Sequence, residues 1–247
     1  MRCIVLAAGY ATRLYPLTEN FPKPLLKVGD RTILDYLLDD IDSCGLVSGH
    51  VVVTNQRFYG HFCEWAASRG NVSVLSDGTS TNETRLGAVR DLAFSIESLG
   101  QDEDILVVAG DNLLDFTLKD FLEYASRKGT SCVMRYFESE KDRLRRSAVL
   151  DVDADDMVLH MEEKPSEPRS HWCCPPFYYY TAADAALVSE ALCSGCSADA
   201  PGSFAAWLSS RTRMHAMLMP GRRHDIGTLE SYRRACELFS SRYSRNL

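Results

Sequence analysis

Short apolar runs alternate with amphipathic segments along the first 136 residues of the chain. Each run is only a few residues long, which is too short to cross a bilayer and typical of a buried strand. The predicted strands are 3–8, 50–54, 72–75, 105–109 and 130–136, and the helical patterns between them cover 32–44, 59–68, 86–99 and 118–127. Strands that alternate with helices at this spacing predict an α/β fold, a three-layer Rossmann-like sandwich with a mostly parallel central sheet and helices on both faces.

The pattern changes after residue 136. A charged link, 141–146, leads to two short predicted strands, 148–152 and 157–161, which suggest a small accessory β region. Further strands are predicted at 177–180 and 214–219, and helices at 182–192, 204–210 and 229–239. No internal repeat and no long linker interrupts the chain, so we expect residues 1–247 to form one domain.

Composition argues against several classes of protein. The formal net charge is −7 and the basic residues are dispersed, which disfavours a protein that coats nucleic acid. No segment is apolar for long enough to cross a bilayer, and the first residues lack the pattern of a secretory signal. We therefore expect no membrane partner and a location in the cytoplasm.

The chain contains nine cysteines, an odd number that favours reduced thiols in a reducing compartment. Cys193 and Cys196 have the spacing of half a zinc site. Cys173 and Cys174 are adjacent in the chain, which is a poor arrangement for the other half, so a structural zinc is disfavoured.

The segment that follows the first apolar run has the composition of a phosphate-binding loop. The run ends at Gly9, after which Arg13 and Lys23 supply positive charge, and Pro22 and Pro24 predict a stiff extended loop. Backbone N–H groups and fixed cations together suit a polyanionic phosphate. The alternative is an ordinary turn with solvated cations, since the segment is neither a dinucleotide fingerprint nor a P-loop.

Asp111 directly follows the predicted strand 105–109. In an open α/β sheet the carboxyl ends of strands line the ligand crevice, so we expect Asp111 to face the same cleft as Gly9. A carboxylate in that place suits Mg²⁺, whose hard charge prefers oxygen ligands. The alternative is that Asp111 caps the next turn.

Four segments, in order along most of the chain, carry a resemblance to a known family. LAAGYATRLYP and KPLLKVGDRTILDY near the amino terminus, Glu162-Glu163-Lys164-Pro165 and His224-Asp225-Ile226-Gly227-Thr228 resemble the motifs of sugar-1-phosphate nucleotidyltransferases such as glucose-1-phosphate thymidylyltransferase. The resemblance implies direct transfer of a nucleotidyl group from a nucleoside triphosphate to a phosphorylated acceptor. It implies a nucleotide-binding half, 1–136, and an acceptor-binding half, 137–247, and leaves association of identical copies open.

The resemblance also implies a role for individual residues. Arg13, Lys23 and Lys164 would be catalytic, because they would neutralise and position the phosphates. Asp111 and Asp225 would hold Mg²⁺. The nucleotide would contact Leu6, Ala7, Ala8, Gly9, Thr12, Asn82 and Gly87, and the acceptor would contact Asn112, Glu163, Lys164 and Arg223.

Several positions depart from the family pattern. Ala11 stands where a second glycine is usual, Pro176 where a glycine is usual, and Arg146-Ser147 where relatives carry Tyr-Gly. The segment 81–87 fits the base-contacting segment of thymidylyltransferases poorly and is closer to the Asn-rich form of phosphocholine cytidylyltransferase-like members. The base and the acceptor therefore stay open.

Three other functions are alternatives to the sugar-1-phosphate nucleotidyltransferase. A cytidylyltransferase that acts on a phosphorylated alcohol such as phosphocholine would use the same chemistry. A non-catalytic regulatory module of the same fold would have no reason to retain Arg13, Lys23, Asp111 and Asp225 together. A nicotinamide-binding domain is disfavoured because Gly-x-Gly-x-x-Gly is missing from the sequence.

Overall fold

The structure is a computed structural model that describes residues 1–100 and 103–243. The strands are β1 (Arg2–Leu6), β2 (Lys27–Val28), β3 (Arg31–Thr32), β4 (His50–Thr54), β5 (Val72–Ser76), β6 (Ile105–Ala109), β7 (Asn112–Leu114), β8 (Ser131–Phe137), β9 (Ala148–Val152), β10 (Val158–Glu163), β11 (Trp172–Cys174), β12 (Phe177–Tyr180), β13 (Met214–Leu218) and β14 (Arg223–Asp225). The helices are α1 (Ile33–Ser43), α2 (Tyr59–Ala66), α3 (Ala88–Leu99), α4 (Lys119–Lys128), α5 (Lys141–Leu144), α6 (Ala182–Ala185), α7 (Val188–Cys193), α8 (Gly202–Ser209) and α9 (Leu229–Tyr243).

The main sheet has the strand order β10-β9-β11-β8-β12-β6-β1-β4-β5, with β13 added beside β8. β4 and β5 are parallel, as are β13 and β8. β6 and β8 are both antiparallel to β12 and so share one direction. Arg2 N donates to Asp104 O, and Gly110 N donates to Leu6 O. The residue numbers therefore increase in the same direction along both strands, so β1 is parallel to β6.

The small accessory β region consists of β9, β10 and β11. β9 pairs antiparallel with β10 on one side and with β11 on the other, and β11 also pairs antiparallel with β8. The predicted α/β fold is therefore confirmed: a mixed, mostly parallel central sheet with helices around it. No helix in the described ranges is long and apolar enough to span a membrane.

The residues divide into two compact units, each of which is made of separate chain segments. Unit 1 contains 1–4, 86–108 and 120–219, and unit 2 contains 5–85, 109–119 and the chain from Pro220 onward. Neither unit corresponds to one of the predicted halves, 1–136 and 137–247. The binding roles of those halves stay predictions. The prediction of a single domain also stays a prediction.

Unit 2 has an apolar core into which α1 and α9 pack. Its buried members are Leu14, Leu26, Val28, Ile33, Leu113, Ile226, Ala235 and Phe239. α1 starts at a capping box, in which the Thr32 hydroxyl accepts the Asp35 N–H and the Asp35 carboxylate accepts the Thr32 N–H. Apolar side chains recur on one face of α1 and are buried, as the spacing predicted.

Three sequence-based predictions of local structure are wrong. The predicted helix 182–192 is two helices, because the bond from Leu187 N to Asp184 O tightens the turn that ends α6. The link 141–146 contains α5. The loop predicted as extended contains 3-10 turns at Thr12–Leu14 and Lys23–Leu25, the second with Pro24 in its first turn, where a missing N–H costs nothing.

Candidate active site

In unit 2 the loop after β1 turns at small residues. Ala7 and Ala8 are buried, whereas Gly9 is exposed. Ala11 adopts the left-handed conformation, with φ 48° and ψ 41°, and Thr12 begins the first 3-10 turn. A left-handed residue explains why a glycine would suit position 11, since a Cβ there costs roughly 1–2 kcal/mol.

Lys23 lies beside both predicted metal-binding carboxylates. Its Nζ is 2.6 Å from Asp111 Oδ2 and 3.8 Å from Asp225 Oδ1. The lysine is only 7% exposed, so its ammonium is held in place before any ligand arrives. Two carboxylates that are far apart in sequence thus share one cation.

A short antiparallel pair of strands brings Asp225 to Asp111. β14 pairs with β7 so that Asp225 lies opposite Asn112, the residue that follows Asp111. Arg223, on the same strand as Asp225, donates from Nη1 to Asn112 Oδ1 at 2.9 Å. This pairing joins the two segments, although neither strand is long enough to have been predicted from the sequence.

The Arg13 side chain reaches the same region. A methyl group at Gly227 would lie 3.7 Å from Arg13 Nη2 and 3.7 Å from Asp225 Oδ2. Both side chains therefore border Gly227. Unit 2 brings together Arg13, Lys23, Asp111 and Asp225, the four residues predicted to handle triphosphate and metal.

Asp111 stays ionised because cations surround it. Burial would raise the pKa of its carboxyl, but the Lys23 ammonium, with a smaller contribution from Arg223, outweighs that effect and lowers the pKa. Asn112 also donates to Asp111 Oδ1 at 2.9 Å. This cluster contains two carboxylates and three nearby cations, so its net charge is positive. A net positive charge suits a polyanionic ligand.

Two other residues of unit 2, Leu6 and Asn82, were predicted to contact the nucleotide. Leu6, the last residue of β1, accepts the Gly110 N–H at 3.1 Å, and so links the loop to the residue before Asp111. Asn82 begins a 3-10 turn, where its Oδ1 accepts from Arg85 Nη1 at 3.2 Å. The contact of these residues with a nucleotide stays a prediction.

Unit 1 holds the residues predicted to bind the acceptor phosphate. Lys164 has a positive φ of 49° and donates from Nζ to Asp199 Oδ2 at 3.2 Å. Both side chains are about half exposed, so this ion pair contributes little to stability. A non-glycine residue with positive φ at a predicted site fits the tendency of strained backbone to occur where function requires it.

Glu163 packs against the first residue of α8. A methyl group at Gly202 would collide with Glu163 Oε2 and lie 3.0 Å from Ala148 Cβ. Burial raises the pKa of the Glu163 carboxyl, while nearby Lys164 lowers it in part. Only a glycine at 202 leaves room for this carboxylate.

Gly87 lies before α3 and touches the segment that carries Asp199. Its φ is 96°, and a Cβ would lie 2.8 Å from Ala198 C. The N–H groups of Ala88 and Val89 donate to Asp199 O and Ala198 O. Gly87 thus has a structural reason to be glycine, and its predicted contact with the nucleotide stays a prediction.

A comparison of the sequence with family models identifies the chain. The model described as Nucleotidyl transferase matches residues 2–241. The chain belongs to the nucleotidyl transferase family. The family predicted from the four motifs is confirmed.

Individual relatives of this nucleotidyl transferase are distant. The chain is 24% identical to a glucose-1-phosphate adenylyltransferase of Fervidobacterium nodosum over 243 residues, which cover 93% of the chain and 59% of that relative. A Bacillus anthracis structure described as a glucose-1-phosphate thymidylyltransferase has a TM-score of 0.80 at 22% identity, and covers 96% of this chain and 94% of its own. A UDP-glucose pyrophosphorylase complexed with UDP-glucose has a TM-score of 0.81 at 19% identity, with 98% of both chains covered. These structures share the fold.

The nucleotidyl transferase has the donors that Mg²⁺ prefers in unit 2. Asp111 and Asp225 present carboxylate oxygens to one point, at which Lys23 now places a positive charge. Mg²⁺ is commonly held by one or two carboxylates, with substrate phosphates and water as its other ligands. Among the described residues, no group of three or more His, Cys, Asp or Glu side chains could hold a metal. The two carboxylates therefore fit an ion that takes its remaining ligands from phosphate and water.

Sequence reasoning missed Asp199, Gly202 and several buried side chains behind the Gly9 loop. The predicted helix 204–210 begins after Gly202, and no local pattern shows that the Glu163 carboxylate occupies the space beside this glycine. Asp199 has no local signal, because its contact with Lys164 joins residues that are far apart in sequence.

Proposed function

We propose that this nucleotidyl transferase transfers a nucleoside monophosphate group from a nucleoside triphosphate to a sugar 1-phosphate, and so forms a nucleoside diphosphate sugar and pyrophosphate. The observation that carries the proposal is the shared contact of Lys23 with Asp111 and Asp225 in unit 2. The names of the relatives, which are a glucose-1-phosphate adenylyltransferase, a glucose-1-phosphate thymidylyltransferase and a UDP-glucose pyrophosphorylase, support this substrate class. The chain spans 59% of the length of the curated relative. The activity of that relative is therefore a proposal for this chain.

Arg13 and Lys23 would neutralise the triphosphate and the departing pyrophosphate. Lys23 is already confined by burial and by Asp111, so it loses little rotamer entropy when a phosphate binds. Preorganised cations aimed at developing negative charge are usually the largest contribution to catalysis. This chain would need no covalent intermediate.

Asp111 and Asp225 would hold Mg²⁺ in unit 2. When bound, the ion would neutralise phosphate charge and act as a Lewis acid toward phosphoryl oxygen. The low pKa of Asp111 keeps that carboxylate ionised at neutral pH and available to a divalent cation.

Lys164 and Glu163 would bind the acceptor in unit 1. The second pKa of a phosphate monoester is about 6, so the attacking oxygen is already ionised at neutral pH and needs no general base. Lys164 would orient this phosphate, and Glu163 would accept hydrogen bonds from sugar hydroxyls. Asn112 and Arg223 of unit 2 were predicted to assist the acceptor; Asn112 is fully buried and bonded to Asp111 and Arg223, which favours a supporting role.

A screen of pyrophosphate release tests the proposal. The protein, with Mg²⁺, is given each of ATP, TTP, UTP, CTP and GTP with glucose 1-phosphate, other sugar 1-phosphates and phosphocholine. Release that depends on a sugar 1-phosphate is expected for at least one pair. Release only with CTP and phosphocholine would replace the proposal by the cytidylyltransferase, and silence with every pair would favour a non-catalytic module.

The proposed metal site has a separate test. Asp111→Asn and Asp225→Asn should each lose the electron paramagnetic resonance signal of bound Mn²⁺ in the presence of triphosphate, and should lower turnover at least about a hundredfold. Asp120→Asn, at an exposed position of α4, is the control and should bind Mn²⁺ normally. Normal Mn²⁺ binding by either site variant would remove that carboxylate from the proposal. The cytoplasmic location stays a prediction.

A further inference from the structure

Three carbonyl groups of the loop after β1 accept hydrogen bonds from buried side chains. Ala7 O accepts from Thr54 Oγ1 at 3.3 Å and Ala8 O from Asn55 Nδ2 at 3.0 Å. Ala11 O accepts from Thr18 Oγ1 at 2.8 Å and also from the Leu14 N–H at 2.9 Å. Thr18, Thr54 and Asn55 are each 0% exposed. All of these residues belong to unit 2.

The direction of a carbonyl fixes the direction of the next N–H. In a trans peptide the C=O of one residue and the N–H of the following residue point to opposite sides of the plane. Because the carbonyls of Ala7, Ala8 and Ala11 point toward buried donors, the N–H groups of Ala8, Gly9 and Thr12 point away from them. Within the described residues, none of these three N–H groups donates to another backbone or side-chain group.

Asn55 is fixed at both ends of its amide. Its Oδ1 accepts the Phe58 N–H at 3.0 Å, just before α2, while its Nδ2 binds Ala8 O. The strand that carries Thr54 is buried along its whole length, and Val53 O accepts the Ala7 N–H at 2.9 Å. The donors behind the loop are therefore held by the sheet and do not depend on a ligand.

We propose that Thr18, Thr54 and Asn55 are positioning residues that turn the N–H groups of Ala8, Gly9 and Thr12 toward the phosphates of the nucleotide. They do not touch the phosphates themselves. They act by holding three carbonyls inward, so that the loop presents its donors without rearrangement. This inference rests on the proposed function for the identity of the ligand, but any polyphosphate tests it.

The size of the effect follows from the cost of one lost hydrogen bond. A buried bond of this kind contributes about 1 kcal/mol, which corresponds to about fivefold in affinity. We expect Thr18→Val, which is nearly isosteric, to weaken binding by up to about fivefold, because the Leu14 N–H still binds Ala11 O in this variant. Thr54→Val removes a longer bond and should weaken it less, about two- to threefold. Asn55→Ala also removes the bond to Phe58 N and serves only as a supporting variant.

Calorimetric titration with inorganic tripolyphosphate, in the presence of Mg²⁺, measures the effect without any assumption about base or acceptor. Thr18→Ser keeps the hydroxyl and should restore the wild-type Kd. Ser95→Ala is the matched control, because it removes an equally buried hydroxyl that donates to a carbonyl, Asp91 O, at 2.8 Å in α3. Its Kd should equal that of wild type, although its Tm falls. In turnover assays, Thr18→Val should raise KM for the nucleoside triphosphate with little change in kcat.

Three results for the variants would overturn the inference. They are an unchanged Kd in folded Thr18→Val and Thr54→Val, equal weakening by Thr18→Val and Thr18→Ser, and equal weakening by Ser95→Ala. Failure of the wild type to bind tripolyphosphate would also overturn it. None of these results depends on the product screen, so the proposed function can fail while the orientation of the loop is supported, or the reverse.

Discussion

At the scale of single residues, the candidate site contains positions at which the available space or the backbone conformation restricts the choice of amino acid. Lys164 has a positive φ without being glycine, and Gly202 lacks a Cβ where Glu163 needs the space. Such positions cost stability and persist because neighbouring contacts fix them. Lys164 is fixed through its own N–H, which donates to Ser147 O at 3.1 Å.

Gly202→Ala should impair the acceptor site selectively. The added methyl group would displace the Glu163 carboxylate and press on Ala148 Cβ, so we expect a loss of about 1–3 kcal/mol in the free energy of unfolding. KM for the acceptor should rise several-fold, whereas KM for the nucleoside triphosphate should change little. Steady-state kinetics and urea unfolding measure both effects.

Gly60→Ala is the matched control for that substitution. Gly60 lies in the first turn of α2, and nothing lies within 4 Å of a Cβ built there. Alanine should stabilise this helix by roughly 0.5–1 kcal/mol and leave both KM values unchanged. Equal kinetics for the two variants would show that the space beside Gly202 has no part in acceptor binding.

The sequence revealed the chemical types of these residues but not their surroundings. Arg13, Lys23, Asp111 and Asp225 could be named because they stand in motifs with an order and spacing. The buried Thr18 and Asn55 could not be named, because a hydroxyl or amide acquires its partner only when distant backbone arrives beside it.

At the scale of elements, long periodic segments were predictable and short paired ones were not. β4, β6, β9 and β12 occupy the predicted ranges, since each is a continuous apolar or alternating run. β7 and β14 have three residues each, and only their mutual pairing makes them strands. That unpredictable pairing is the one that places Asp225 beside Asp111.

The turn before α3 allows the stability cost of backbone strain to be separated from the cost of a steric clash. Gly87 and Gly78 both have positive φ, 96° and 78°, but only Gly87 has backbone atoms of Ala198 in the way of a Cβ. Gly87→Ala should therefore cost about 1–3 kcal/mol more than Gly78→Ala, which meets strain alone. Urea unfolding of the two variants measures the difference. Equal costs would contradict the packing of Gly87 against residue 198.

The first turn of α1 predicts a dependence of stability on pH. Burial alone would raise the pKa of Asp35, but bonds from Thr32, Trp65 and Arg69 outweigh it and lower the pKa. A folded pKa below the unfolded value of about 3.9 adds stability that is complete above that pH and is lost as pH falls through the folded pKa. Asp35→Asn should thus cost about 1.5–3 kcal/mol at pH 6, and the cost should shrink below about pH 4.

Asp39→Asn is the control for that pH dependence. Asp39 also binds Arg69, at 2.9 Å, but its side chain is 49% exposed, so its loss should cost less than about 1 kcal/mol. Unfolding by urea between pH 3 and pH 7 compares the two variants with the wild type. A cost of Asp35→Asn that did not change with pH would show that the charge of Asp35 does not stabilise α1.

At the scale of the whole molecule, unit 2 is assembled from the amino-terminal segment, a short middle segment and the carboxyl-terminal segment of the chain. Each of them supplies part of the candidate site: Arg13 and Lys23 from the first, Asp111 from the second and Asp225 from the third. The sequence predicted that the two carboxylates converge, but the division of residues between the units could not be predicted, since it depends on contacts between distant segments.

The carboxyl-terminal helix should therefore be needed for the site as well as for stability. Phe239 of α9 is 5% exposed and packs with Leu113 and Ile226, and its ring lies 5.6 Å from that of His224, beside Asp225. Phe239→Ala should lower the free energy of unfolding by about 3–5 kcal/mol. Turnover should fall even at a temperature where the variant is folded, because β14 loses its support.

Phe94→Ala provides the comparison, since Phe94 is 38% exposed on α3 and should cost less than about 1 kcal/mol. Urea unfolding and pyrophosphate release, measured on both variants at the same temperature, separate the two contributions of Phe239. If folded Phe239→Ala turned over at the wild-type rate, α9 would stabilise unit 2 without fixing the position of Asp225. A fall in turnover confined to Phe239→Ala would instead tie the geometry of the two carboxylates to the packing of the last helix, a link that no motif in the sequence contains.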